Sequence, residues 1–264
     1  MRSSDIKTEQ RERFPTDAGT EEDNVLLDLH AHTRGISKCC RIYAERVVEE
    51  ALGAGLDGIV LTNHYQKNYV KDGDYAAFAE RYVEEFHHTA QYGEGIGCRV
   101  LFGIEVTMER YPAVHLLIYG VGEDFPMRYP EMFDFTQEEL YRIVHENGGI
   151  LVQAHPYRRG DNLLDVRFLD GVEISCHPLY ESAYLEKLSS LAAREGLLLT
   201  CGGDYHADTY RPHCGAYLPD TLTSGEELGA YLASTEELTL SVQEVDGSEP
   251  VDVRTVIRRK KTDV

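Results

Sequence analysis

Asp28-Leu29-His30-Ala31-His32-Thr33 sets two imidazoles two residues apart, directly after the apolar run Val25-Leu26-Leu27. Side chains repeat every second residue along a strand, so if that run is a strand, His30 and His32 point to one side and can grip a single metal ion. Alone, the pair fits equally well one exposed His and one hydrogen-bonded in a core, since the chain has 11 His. Five further residues join the argument: His64, Glu105, His155, Asp204 and His206. Five His with one Glu and one Asp make a hard-to-borderline donor set suited to Mn, Fe or Zn, without the thiolates that a structural zinc site prefers. That is more donors than one tetrahedral ion needs, which implies at least two metals sharing a carboxylate. Such a cluster suits phosphate-ester chemistry. It lowers the pKa of a bridging water to give hydroxide near neutrality, and it neutralises phosphoryl oxygens during in-line displacement.

The elements that must position these groups follow from hydrophobic periodicity and helix stop signals. Strands are predicted over residues 25–29, 58–62, 99–104, 113–119, 150–154, 171–174, 197–200 and 238–242. Helices are predicted over residues 43–55, 75–91, 183–195 and 225–233. One more runs to Glu146 from a capping box in which Thr136 is followed three residues later by Glu139. Alternating strands and helices predict an α/β fold with a mostly parallel sheet or barrel. Each of the candidates falls at or just after the C-terminal end of a predicted strand, which is where sites assemble in a barrel of parallel strands.

In a chain of 264 residues, 42% hydrophobic content is ample for one packed domain, expected over residues 25–243. Residues 1–24 read as a flexible polar lead and 244–264 as a solvated tail, basic near its end. With no apolar run long enough to span a bilayer and no apolar leader, a soluble cytoplasmic protein is expected. The six Cys form neither C-x-x-C pairs nor a disulfide framework. A net charge of -20 repels polyanions at long range, which counts against long nucleic acid. It counts less against a small phosphorylated molecule, because bound divalent ions reverse the potential locally.

The order of Asp-Leu-His-Ala-His-Thr (28–33), Gly-Ile-Val-Leu-Thr-Asn-His (58–64), Gly-Ile-Glu-Val (103–106), Ala-His-Pro-Tyr-Arg (154–158) and Gly-Gly-Asp-Tyr-His-Ala (202–207) resembles the PHP superfamily, named for polymerase and histidinol phosphatase. The resemblance implies a distorted (β/α)7 TIM-like barrel with a metal cluster, commonly trinuclear, at the C-terminal ends of the strands. It also implies phosphoesterase activity. Carried over by position, His30 and His32 would bind a first metal with Asp204. Glu105 would bridge it to a second, held with His155 and His115, and His64 and His206 would serve the remaining ion. Two departures stand out. Family members often carry a His or Asp where this chain has Ser37 and Lys38, and the usual Thr-Asp-His reads Thr62-Asn63-His64. Two or three ions therefore both remain open, with Cys39 or Cys40 as a substitute ligand.

A phosphate also needs donors, and guanidinium forks suit it best. Arg158 is the first candidate, ahead of its neighbour Arg159 and the loop residues Lys38 and Arg41. His177, after another strand end, is a candidate general acid, with His213 a second, and Glu173 a candidate for orienting a ligand. The expected function is a metal-dependent phosphoesterase that hydrolyses a small organic phosphate ester by attack of a metal-bridged hydroxide. Its alternatives are a nuclease on short oligonucleotides and a non-catalytic barrel that binds metal or a partner. Specificity is expected to reside in the loops 67–74, 123–135 and 208–213.

Overall fold

Apolar strand runs and one-sided helices recur along the computed structural model, which describes residues 24–111, 113–158, 160–177, 183–207, 213–243 and 249–257. The strands are β1 (Asn24–Ala31), β2 (Gly58–Leu61), β3 (His64–Tyr65), β4 (Arg99–Phe102), β5 (Ile104–Thr107), β6 (His115–Tyr119), β7 (Ile150–Gln153), β8 (Gly171–Ser175), β9 (Leu198–Gly202), β10 (Gly215–Pro219), β11 (Glu237–Val242) and β12 (Val251–Val256). The helices are α1 (Ala44–Gly53), α2 (Tyr75–Ile96), α3 (Phe125–Arg128), α4 (Gln137–Glu146), α5 (Ala183–Glu195) and α6 (Gly225–Ser234).

Local chemistry explains the helix limits. Thr136 and Glu139 form the expected capping box of α4. Asp74 caps α2 by accepting from the Ala77 N–H, and α2 runs past its expected end to Gly97, whose φ of 79° is the left-handed stop. On α1 the buried residues Ala44, Val47, Val48 and Ala51 recur at helical spacing and seat it on the outer side of β1 and β2 with Leu26 and Ile59.

The strands lie in two six-stranded sheets, ordered β12-β11-β10-β1-β2-β4 and β3-β5-β6-β7-β8-β9. They abut at both margins: Gly103 joins β4 to β5, and a single parallel bridge links Ala31 to Tyr205. No closed ring of paired strands is found among the described residues, so the architecture is mixed α/β rather than a demonstrated TIM-like barrel. β6 runs antiparallel to both β5 and β7, and β10 runs antiparallel to β1. The mostly parallel arrangement expected is thus interrupted; for β5 and β6 the cause is the short connection between Thr107 and His115, which permits a hairpin but no crossover. β12 pairs with β11 inside the segment expected to be tail, and Arg254 forms a salt bridge with Glu237 there.

The main core fills the space between the sheets and includes Leu27, Leu29, Leu117, Val152 and Leu199, each at most 1% exposed. Burying a side chain of this size contributes roughly 1.5–3 kcal/mol. The hydroxyl of Tyr119 is buried there and donates to the Leu29 carbonyl at 2.9 Å, tying β6 to β1. That core holds one rim of strand ends rigid, and the polar candidates sit on this rim. Among the described residues no helix is long and apolar enough to cross a membrane.

Candidate metal centre

β1 ends in His30 and Ala31 and His32 follows directly, and the two imidazoles converge with their Nε2 atoms 3.0 Å apart. Each ring is oriented from behind. His30 Nδ1 donates to Glu173 Oε1 at 2.8 Å, and His32 Nδ1 lies 3.1 Å from Ser37 Oγ. Ser37 Oγ itself donates to Asn63 Oδ1 at 2.8 Å, so it accepts from His32. With Nδ1 acting as the donor on each ring, the two Nε2 atoms face each other and Asp204 Oδ1 lies 3.1 Å from His32 Nε2; burial lowers the basicity of His30, but Glu173, Glu105 and Asp204 outweigh it and raise it well above the usual imidazole value. Three buried polar atoms this close need a cation among them, a proton on His30 in the metal-free protein or a bound metal ion. Ligands bonded at about 2.1 Å stand about 3.0–3.4 Å from their neighbours; here His32 Nε2 lies 3.0 Å from His30 Nε2 and 3.1 Å from Asp204 Oδ1, and His30 Nε2 lies 3.6 Å from Asp204 Oδ1.

Glu105 occupies the middle of the cluster at 0% exposure. Parallel pairing of β3 with β5 sets it beside His64, and the β5–β6 hairpin sets Thr107 beside His115. Its Oε1 accepts from His115 Nδ1 at 2.9 Å and lies 3.1 Å from His155 Nε2. Its Oε2 lies 2.5 Å from His64 Nδ1 and 3.5 Å from His32 Nε2. The short contact is not aligned as a hydrogen bond, and both His64 Nδ1 and Glu105 Oε2 are buried without a partner of that kind. Orphaned buried acceptors cost free energy unless something satisfies them. Four groups of three donor atoms lie within mutual reach of 4.8 Å: His30, His32 and Asp204; His30, Glu105 and His155; His64, Glu105 and His115; and His32, His64 and His206. The residues therefore fit bound metal, with Glu105 shared by two of these groups.

Electrostatics are those of a site built for positive charge. Burial pushes the Glu105 carboxyl up, but His64, His115 and His30 hold it well below the usual carboxylate range. Asp204 is likewise depressed, with His30 and His206 overcoming its burial. Burial pushes Glu173 up to about 7 against the pull of His30. Burial lowers His32, helped by His206 and His64, and it lowers His155 to about 4. His64 is raised to about 10 because Glu105 outweighs its desolvation. Two of the acceptors also sit on strained backbone: His155 has φ 33° and Asp204 φ 46°, left-handed values that cost on the order of 1–3 kcal/mol each.

All eight residues expected to bind metal thus meet at one rim. Ser37 and Asn63, noted for their departure from the resembled pattern, are the supports: Asn63 Oδ1 also accepts from the Thr33 N–H at 2.7 Å, and Ser37 Oγ accepts from the His64 N–H at 3.0 Å. Glu173 is the anchor of the second row, holding the His30 ring and accepting from the His155 N–H at 3.2 Å. Its place in the sequence marked it only as an orienting group, because nothing local reveals which ring it reaches.

Beside the cluster lies a cavity of about 420 Å³ whose lining includes Cys39, Tyr69, Arg158 and His177. Arg158 Nη1 donates to Asp204 Oδ2 at 2.7 Å, and its Nε is buried with no hydrogen-bond partner. The His177 ring stands edge-on to that of His206 at 6.4 Å. Its basicity is lowered, by burial first and also by Arg158, while Asp204 opposes the shift. His213 does not line this cavity; its Nδ1 pairs with Ser241 Oγ at 3.2 Å. Arg159 and loop residues 208–212 lie outside the described residues.

No family model matches the sequence, and no curated protein does. Among solved structures, the chain is similar to a two-domain protein from Bacteroides vulgatus said to contain a predicted PHP-like metal-dependent phosphoesterase. The TM-score is 0.61 at 16% identity, over 88% of this chain and 70% of that one. It is also similar to PsfC from Pseudomonas syringae, with a TM-score of 0.53 at 14% identity, over 88% of this chain and 91% of that one. At these identities the likeness is one of fold, and it extends over nearly all of the chain.

Proposed function

We propose that the chain is a PHP-superfamily phosphoesterase that hydrolyses a small organic phosphate ester at a centre of two to three divalent ions. On this proposal the two sheets are the walls of a distorted seven-stranded barrel. The observation that carries it is Glu105, a fully buried carboxylate with His64, His115 and His155 turned onto it. The fold shared with the Bacteroides vulgatus protein supports it. His30, His32 and Asp204 would hold one ion, Glu105, His115 and His155 a second, and His64 and His206 a third. Mn, Fe and Zn all suit this donor set. When bound, such ions neutralise phosphoryl oxygens and lower the pKa of water at the site.

The other steps fall to the chain's own groups. Arg158 presents its guanidinium at the cavity wall, steadied by Asp204, and would donate hydrogen bonds to the phosphoryl oxygens. His177, whose lowered basicity leaves a ready proton when charged, would deliver an imidazole N–H proton to the leaving oxygen. The net charge of -20 favours a small substrate over a long polyanion.

The test is release of inorganic phosphate from a panel of monoesters, diesters and short oligonucleotides by metal-loaded protein. Turnover of a small ester that is abolished in His30→Ala and Asp204→Ala is the expected result. Metal-loaded protein with no turnover on the whole panel, or full turnover in either variant, refutes the proposal.

A further inference from the structure

Cys176, Cys201 and Cys214 belong to three separate segments that meet where the two sheets come together. Cys176 directly follows β8, Cys201 lies in β9, and Cys214 directly precedes β10 of the other sheet. Parallel pairing sets Ile174 beside Cys201, and the Cys176 N–H donates to the Gly202 carbonyl at 2.9 Å. Gly215 brings the third thiol in: its φ is 149° and a Cβ there would stand 2.1 Å from the Leu27 carbonyl oxygen, so only glycine lets β10 begin this close to β1. The three sulfurs all lie within 4.8 Å of one another, with Cys176 Sγ and Cys201 Sγ 3.6 Å apart. Cys201 Sγ donates to the Ser241 carbonyl of β11 at 3.6 Å. All three residues are at most 3% exposed and lie in the main apolar core. Side chains alternate along β9, so Cys201 faces away from the side of Gly202, where an added Cβ would meet His30. The thiols are therefore a group apart from the rim residues, and no imidazole or carboxylate belongs to it.

We propose that Cys176, Cys201 and Cys214 form a second metal site, which takes one copper(I) ion and clasps β8 and β9 to the start of β10. At a metal–sulfur distance of about 2.3 Å, sulfurs around one ion stand about 3.7–4.0 Å apart, close to the spacing already present. A disulfide would use two of the sulfurs and leave the third, whereas a trigonal ion uses all of them. Thiolates are the soft donors that select copper(I), and a structural zinc ion needs a fourth ligand that this group lacks. The hard imidazole and carboxylate set at the rim has the opposite preference, so the two sites would sort different ions. Binding breaks the three S–H bonds, forms three sulfur–copper bonds and releases three protons to solvent, and the copper stays monovalent.

The test refolds the full-length chain from denaturant without oxygen, with ascorbate as reductant, manganese(II) in excess and copper(I) supplied, so that the buried site fills as it forms. Loose copper is then removed with a copper(I) chelator. The expected result is one copper retained per chain, with X-ray absorption showing sulfur neighbours alone. Cys201→Ala and Cys214→Ala should each lose that copper, while Cys39→Ala keeps it. The shell of the unaltered chain decides the matter even where a variant fails to fold. Manganese in the same samples is counted separately, so failure of the thiol site and failure of the rim centre are distinguishable. No retained copper, a shell containing nitrogen, or copper retained in both Cys201→Ala and Cys214→Ala overturns the proposal.

Discussion

Glu173→Gln is the substitution that tests the support of the centre without touching an ion ligand. Glu173 is fully buried, and its two oxygens accept from His30 Nδ1 at 2.8 Å and from the His155 N–H at 3.2 Å. Glutamine keeps the volume but offers one acceptor and one NH2 group, so one of those two donors faces another donor. Leaving a buried donor unmet costs about 1–3 kcal/mol in the metal-free protein. Loss of the carboxylate behind His30 also weakens that imidazole as a ligand, and such second-row changes cost roughly 10- to 100-fold in metal affinity, about 1.4–2.7 kcal/mol. The assay is metal binding by competition with a chelator, with thermal melts of both forms. Since burial pushes Glu173 up to about 7, the wild-type carboxylate is itself neutralised as pH falls through that value, and the gap between the two proteins should narrow there. Unchanged affinity in Glu173→Gln above that pH refutes the reasoning.

Gly202→Ala would place a methyl group 2.4 Å from His30 Cβ and 2.8 Å from Glu173 Oε1. Overpacking of this kind costs about 1–3 kcal/mol, and here it should also displace His30, so a lower Tm and a lower metal content are expected together; wild-type values for both would contradict the account. Glu105 is depressed in the folded metal-free protein, its burial overcome by His64, His115 and His30. The stability it contributes is therefore full above its unfolded value of about 4.3 and is lost as pH falls through the lower folded value. An acid melt series on metal-free protein should show that fall, with a shallower slope in Glu105→Gln. An equal slope in that variant would remove Glu105 as its source.

The residues that meet at the candidate site were legible in the sequence because each is tied to a strand end by local pattern: His30 and His32 by their spacing, and His155 and Asp204 by the apolar runs before them. What connects them was not legible. Period-two alternation says nothing of strand direction, so His115 was seen on a strand, but its place at the start of an antiparallel one needed the short 108–114 connection to be weighed as a hairpin signal. β12 reads as tail in the sequence because the alternation of Val251 and Val253 with Asp252 and Arg254, a half-exposed edge pattern, is weak beside the basic residues following it. Ser37 read as a missing ligand because its partners, His32 Nδ1 and Asn63, are brought to it only by the fold.

The most direct test of the central claim is the number of metal ions per chain after metal-free protein is reconstituted with a mixture of Mn, Fe and Zn and freed of excess. The convergence of His30, His32, His64, Glu105, His115, His155, Asp204 and His206 predicts at least two ions per chain, with all but one lost in Glu105→Ala. No ion or a single ion in the unaltered protein would contradict a carboxylate-bridged cluster.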